Sequence, residues 1–276
     1  MARERRIKLH LRRLNEIRNI MEAMKNLAVL ETHKLSAVLD NQKLLLQDLE
    51  RIAGDLLAHH PQLAPSAGGT ADVWLLFGSE RGFCGDFNEA LLDKLNREFA
   101  AARETPHLIP VGKKLSSRLQ EDPRVHAFVD GADVAEETPA VLNTLIHHID
   151  SLQSGTGRLN VFALYRDADT DKLISSQLLP PFRDAAAVAP RPHPPLLTLP
   201  PERFYLDLVD RYLFVALQDI ASTSLMAENY RRIQHMTGAI RRLEETEEKL
   251  LRKYHMQRQE EITEEIEVIL LNTPGP

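Results

Sequence analysis

The sequence predicts a mixed α/β protein in which a small central sheet domain carries a long antiparallel coiled coil formed by the N- and C-terminal helices. Three observations predict it. Residues 3–58 and 202–272 read as very long helices with almost no breakers. Between them, short apolar runs alternate with helical segments, the pattern of a sheet covered by helices. The two ends also carry opposite charge excesses. Residues 1–34 hold nine Lys/Arg against four Glu, and residues 241–267 hold six Lys/Arg against nine Glu. Exposed pairs are worth only ~0.2–1 kcal/mol each, so packing must do most of the stabilisation.

The division that follows is 1–58 for the first coiled-coil helix, 59–71 for a linker, 72–180 for the central domain, 181–201 for a proline-rich crossover, 202–272 for the second coiled-coil helix and 273–276 for a tail. In the first helix, Ile7, Leu11, Leu14, Ile17, Met21, Met24 and Ala28, then Leu35, Val38, Leu45, Leu49, Ile52 and Leu56, recur at steps of three and four or their combinations. That spacing makes one apolar stripe. No proline occurs before Pro61, and Gly54 is the first glycine. At 1.5 Å per residue, such a helix spans roughly 80 Å. The stripe falters at Leu14–Ile17, Glu31 and Gln42, which predicts an uneven supercoil.

The second helix begins at Pro201 with Glu202 in its first turn, both favourable there. Leu206, Val209, Leu213, Ala216, Ile220, Ala227, Ile233, Met236, Ile240, Leu243, Leu250, Tyr254, Ile262, Ile266 and Ile269 supply its apolar faces. Its length is roughly 105 Å, ending at the stop residues Asn272-Thr273-Pro274-Gly275. Gly238 costs ~1 kcal/mol against Ala in a helix interior, and its lack of bulk suits a close helix crossing. The run Glu244-Glu245-Thr246-Glu247-Glu248 reads as a solvated face, with a charged partner surface as the alternative.

In the centre, Asp72–Phe77 reads as a strand, Gly78–Asp86 as a turn, Phe87–Ala102 as a helix, His107–Val111 as a strand and Lys113–Leu119 as a weak helix. Val125–Val129 is a further strand candidate and Pro139–Ile149 a helix. Arg158–Tyr165 and Lys172–Leu179 pair across the Asp167–Asp171 turn. This order is Rossmann-like. Residues 180–201 contain eight prolines and hold no central strand.

Several function classes recede. A net charge of -6 offers no concentrated positive footprint for nucleic acid. The single Cys84 excludes an internal disulfide and a multi-cysteine metal site. The N-terminus MARERRIKLHLRRL is too charged for a signal peptide, and no apolar run approaches the ~18 residues of a spanning helix. The turn GSERGFCGD matches neither GxGxxG nor GxxxxGK[ST], so it reads as a tight strand-to-helix connection rather than a phosphate cradle. Cys84 shows no activating neighbour. His59-His60 and His147-His148 are adjacent pairs that share no helical face, and Asp167, Asp169 and Asp171 do not complete an EF-hand loop. No catalytic residue, metal or cofactor is expected.

Three separated blocks resemble the gamma subunit of rotary F-type ATP synthases. Ile7-Lys8 with Ile20-Met21-Glu22-Ala23-Met24-Lys25 is similar to the family's Ile-Lys start and Ile-Thr-Lys-Ala-Met stretch. Gly78-Ser79-Glu80-Arg81-Gly82-Phe83-Cys84-Gly85-Asp86-Phe87-Asn88 resembles its Ser-Asp-Arg-Gly-Leu-Cys-Gly-Gly-Leu-Asn block, and Val111-Gly112-Lys113-Lys114 also fits. Ser224–Ala239 resembles a block centred on Ala-Arg-Met-x-Ala-Met, and Tyr254–Ile269 resembles Tyr-Asn-x-x-Arg-Gln-x-x-Ile-Thr-x-Glu-Ile. The resemblance implies a noncatalytic central-stalk rotor subunit that couples ion flow through a membrane ring to ATP synthesis or hydrolysis by partner beta subunits. Its implied partners are an alpha/beta hexamer, an epsilon subunit and a membrane c-ring, and its implied place is the cytoplasmic face of a bacterial inner membrane.

The resemblance also implies roles. Met24 and Met236 match shaft positions, with plain core packing as the alternative. Arg232 matches the arginine of Ala-Arg-Met and either meets a stator loop or covers the shaft. Arg258, Gln259 and Thr263 match a hexamer-facing region, against a solvated helical face. The chain departs from the pattern at Met21-Glu22, at Glu16-Ile17, at Asp86 for the second glycine of Cys-Gly-Gly, and at Arg231 for the alanine of Ala-Arg-Met. These departures mark a divergent form, one of an alternative or sodium-driven complex included. A coiled-coil adaptor, and a small-molecule enzyme using residues 72–180, are the competing readings.

Overall fold

The computed structural model describes residues 2–65, 69, 71–99, 105–182 and 193–271. The middle of the proline-rich crossover (183–192), the tail and its stop residues (272–276), and the last three residues of the expected Phe87–Ala102 helix lie outside the described residues. The terminal helices are α1, Ala2–His59, and α5, Pro201–Leu271. Between them come β1 (Ala71–Phe77), α2 (Phe87–Phe99), β2 (His107–Val111), α3 (Lys113–Ser116), α4 (Thr138–Thr156), β3 (Leu159–Arg166) and β4 (Leu173–Leu179). The chain divides into two units, one of residues 1–28 with 233–276, the other of residues 29–232.

The larger unit is built on a four-stranded sheet of order β2-β1-β3-β4. β1 runs parallel to both β2 and β3, and β3 and β4 form an antiparallel pair. Parallel strands need covering on both faces, and the burial of β1 shows it: Val73 through Phe77 are all buried. One face carries Val73, Leu75, Ile109, Val161 and Ala163 against α4 (Leu142, Leu145, Ile149) and α5 (Ala216, Leu217, Ile220). The other carries Trp74, Leu76, Leu108 and Leu164 against Leu91 and Leu95 of α2. This alternation follows from the two-residue period of a strand. Val125–Val129 does not become a strand. It makes only two isolated parallel bridges, Leu108 to Val125 and Val111 to Val129, because four steps along the segment oppose three along β2 and the extra residue interrupts the ladder.

Within this unit α1 and α5 pair antiparallel. Leu49, Ala53, Leu56 and Leu57 pack with Leu208 and Phe182, while Leu35 and Leu39 lie with Leu225 and Met226. Positions rise on α1 as they fall on α5. From Ser222 to Asn229, α5 is buried at eight consecutive positions. A helix buried all round cannot show one clean stripe, which accounts for the mixed small and polar sequence Ser222-Thr223-Ser224-Leu225-Met226-Ala227-Glu228-Asn229.

The smaller unit is an antiparallel helix pair of its own. Arg18 on α1 bonds Glu247 on α5 at 2.9 Å, and the Lys8 ammonium lies 5.3 Å from the centre of the Tyr254 ring. Met236 and Ile240 are buried. Several residues expected in the apolar stripes are exposed instead: Ile17, Val38 and Leu45 on α1, and Leu206, Ile262 and Ile266 on α5. A two-helix pair can bury only one narrow seam, so residues set off that seam stay outside.

Gly238 does not mark a close crossing. A Cβ there meets only the Arg242 guanidinium, at 3.7 Å, an ordinary contact. Gly238→Ala is therefore expected to raise the stability of the isolated chain by about 0.5–1 kcal/mol, read as a rise in thermal midpoint. A fall would show a hidden close approach.

Candidate functional site

The turn between β1 and α2 is densely bonded. Gly78 must be glycine, since a Cβ would lie 2.3 Å from that of Leu115. Asn88, at the start of α2, fastens the turn by accepting from the Ser79 amide at 2.9 Å and donating to the Ser79 hydroxyl at 2.9 Å. Glu80 is buried, and its carboxylate accepts from the amides of Lys113 at 2.9 Å and Gly131 at 2.7 Å. The Lys113 ammonium adds a contact at 2.8 Å. One side chain thereby ties the turn to α3 and to the 130–134 loop.

The next two amides point at α5. Those of Glu80 and Arg81 both donate to the Glu228 carboxylate at 3.2 Å. Successive amides in a glycine-rich turn form an anion-binding concavity. Here the anion is the chain's own glutamate. Glu228 also pairs with Arg232 one turn along α5, an i,i+4 ion pair with both side chains buried. The Arg232 guanidinium is further used up by the Asn229 side-chain oxygen at 2.6 Å, the Gly82 carbonyl at 3.3 Å and the Cys84 sulfur at 3.5 Å. A phosphate cradle needs free amides; these are occupied, so the expectation of a connection rather than a nucleotide loop has a physical cause.

Burial pushes the Glu228 carboxyl above its ordinary value, opposed by Arg232 and by the two amides. Burial, helped by the neighbouring Glu228 charge, pushes the Cys84 thiol up to about 12. A thiolate is the reactive form, so Cys84 is a packing residue, set among Phe87 and Ala227. Among the described residues, no group of three or more His, Cys, Asp or Glu side chains could hold a metal ion.

The six residues marked from sequence are not brought together. Arg232 lies in the larger unit, enclosed as described. Met24, half-buried, and Met236, fully buried, belong to the smaller unit. Arg258, Gln259 and Thr263 are exposed on α5, where the Thr263 hydroxyl donates to the Gln259 carbonyl at 2.9 Å. Gln259 and Thr263 line a shallow groove with Met256, Glu260, Glu264 and Glu267. Exposed apolar side chains continue along this unit, with Leu9, Ile17, Ile20 and Leu27 on α1 and Ile262, Ile266 and Val268 on α5. Sequence reasoning missed Glu228, Glu80 and Asn88. The signal was a Glu–Arg pair at i,i+4 within a stretch otherwise small and apolar.

The profile of a family described as ATP synthase matches residues 3–271. The ATP synthase gamma chain of Symbiobacterium thermophilum is 25% identical over 279 residues, covering 96% of this chain and 95% of that one. That of Clostridium botulinum is 22% identical over 278 residues, covering 94% of each. A chain of the Euglena gracilis mitochondrial ATP synthase, from a structure of its OSCP, F1 and c-ring, has a similar fold, with TM-score 0.63 and 16% identity over 98% of this chain and 93% of that one. A chain of the Tetrahymena thermophila mitochondrial ATP synthase central stalk and c-ring gives TM-score 0.59 and 18% identity over 80% and 99%.

Two outcomes are expected. Removing one partner of a buried ion pair leaves the other charge uncompensated, so Arg232→Ala is expected to cost about 3–5 kcal/mol in denaturant unfolding; a cost below about 1 kcal/mol would show that the pair is not buried in solution. Holding the thiol neutral contributes stability that is lost as pH rises from the ordinary 9.0 through about 12. At pH 8, alkylation of Cys84 in the folded chain is expected to run at least about 100-fold slower than in denaturant, and equal rates would contradict its enclosure.

Proposed function

This chain belongs to the ATP synthase family, and we propose that it is the central-stalk rotor subunit of such an enzyme. It couples ion translocation through a membrane c-ring to ATP synthesis or hydrolysis in partner beta subunits, and is itself noncatalytic. The observation that carries the reading is the match over residues 3–271 together with the form of the smaller unit, a helix pair whose outer faces leave Leu9, Ile20, Leu27, Ile262 and Ile266 exposed. Apolar rows on a two-helix rod are the mark of a surface made to be covered. An alpha/beta hexamer supplies that cover, with the epsilon subunit and c-ring meeting the sheet-bearing unit.

The mechanism needs no chemistry on this chain. A rotor with unlike faces contacts three chemically similar partners differently, and each partner shifts only as far as its contacts favour one state over another. Here α1 offers arginines beside its exposed apolar row, whereas α5 offers glutamates beside its own. Arg258, Gln259 and Thr263 are the rotor–stator contacts of this reading. Met24 and Met236 are read as packing of the rod, and Arg232 as an internal fastener. No described helix is long and apolar enough to cross a membrane. Attachment to the cytoplasmic face of a bacterial inner membrane, through the complex, is part of the proposal.

Cross-linking both terminal segments inside a purified alpha/beta hexamer tests the reading. Adducts from residues near Leu9 and near Thr263 are expected. An assembled complex in which neither segment links to alpha or beta would sink the assignment. Arg258→Ala combined with Gln259→Ala is expected to lower ATP synthesis by about tenfold or more, the effect of ~1.4 kcal/mol lost from a contact made in one rotor position, while the isolated chain keeps its thermal midpoint.

A further inference from the structure

Arg231 and Arg232 are consecutive, so their side chains leave α5 about 100° apart around the helix axis. Arg232 turns to the β1–α2 turn, as described. Arg231 turns elsewhere, making a two-pronged contact with Asp171, Nε to Oδ1 at 3.0 Å and a terminal nitrogen to Oδ2 at 2.7 Å. It also lies 3.5 Å from Asp86, the last residue of the β1–α2 turn. Asp171 sits in the β3–β4 turn at φ 56°, a left-handed conformation that Asp tolerates. It is also held by Arg166, buried at the end of β3, which donates to the Asp171 carbonyl at 2.9 Å and to its Oδ1, shared with Arg231, at 3.2 Å. The same turn reaches the other long helix: Lys43 of α1 bonds Asp169 at 3.2 Å. Arg231 and Asp86 are also two positions at which the chain departs from the motif it resembles, and the departures carry opposite charges in contact.

From this geometry we propose that the β3–β4 turn is a torsional brace, with Arg231 as the residue that sets the rotation of α5 about its own axis against the sheet. One attachment lets a helix roll; two attachments 100° apart on adjacent residues do not. The bonds of Glu228 and Arg232 to the β1–α2 turn provide the first and the Arg231–Asp171–Asp86 contact the second, while Lys43–Asp169 ties the same turn to α1. The Arg231 and Lys43 contacts are exposed or half-exposed, and each is worth little alone. Their joint effect lies in geometry, because the forked Arg–carboxylate contact fixes orientation as well as distance. Arg231 is a positioning residue for coupling, and this role rests on the rotor reading.

The test uses the complete complex in vesicles and reads ions pumped per ATP hydrolysed. Arg231→Ala and, separately, Asp171→Asn are expected to lower that ratio by about threefold while leaving hydrolysis within about twofold, and Arg231→Lys, which keeps the charge but loses the fork, to recover only part of it. A purely structural role would instead lower the yield of complex and leave the ratio per assembled complex intact, which overturns the proposal. Hydrogen exchange on the full isolated chain supplies a second arm. Arg231→Ala is expected to speed exchange at residues 167–172, and unchanged exchange there also overturns it. If the wild-type chain joins no alpha/beta hexamer, the rotor reading fails, and the exchange arm still decides the brace.

Discussion

The buried Glu228–Arg232 pair is the interaction on which the larger unit depends. Two charges removed from water are costly unless each finds its full set of partners. Glu228 finds the Glu80 and Arg81 amides as well as Arg232, and Arg232 finds Asn229, Gly82 and Cys84. Those partners come from the turn that links β1 to α2, so satisfying the pair obliges the turn to lie on α5. The turn in turn holds α3 and the 130–134 loop through Glu80. These directional bonds add a fixed register to the apolar packing of α5 against the sheet. An apolar patch of the same area would be more forgiving of small shifts, because the hydrophobic effect is not directional.

That constraint gives the motif its physical meaning. Two of the three glycines in Gly78–Gly85 have a structural cause: Gly78 clears Leu115, and Gly85 takes φ 65°. The amides so exposed could have cradled a phosphate, and the chain places a carboxylate there instead. The turn is an internal fastener, which suits a part that transmits force.

Much of this was legible in the sequence. The helix lengths, the strands β1 and β2 and the pairing of β3 with β4 follow from breaker spacing and apolar runs, both local signals. What stayed hidden was long-range. Val125–Val129 has strand composition but only two bridging positions, and composition does not report how far a segment follows its neighbour. Gly238 reads as a crossing residue until its surroundings are known. Ile17, Leu45 and Ile262 fit an apolar stripe by spacing, yet the seam of a two-helix pair is narrower than the stripe. Arg232 was recognisable as a motif residue, but its partner Glu228 was not. A glutamate four residues before an arginine is the commonest surface pair on any helix, and only the burial around it distinguishes this one.

The rotor reading requires that the two long helices turn together. Single-molecule observation of a probe fixed to an exposed residue of the sheet-bearing unit, such as Glu121, with the alpha/beta hexamer immobilised and ATP supplied, tests it most directly. Stepwise unidirectional rotation of the probe, driven by hydrolysis, is the predicted result. Sustained hydrolysis by the same complexes with a stationary probe would contradict the account.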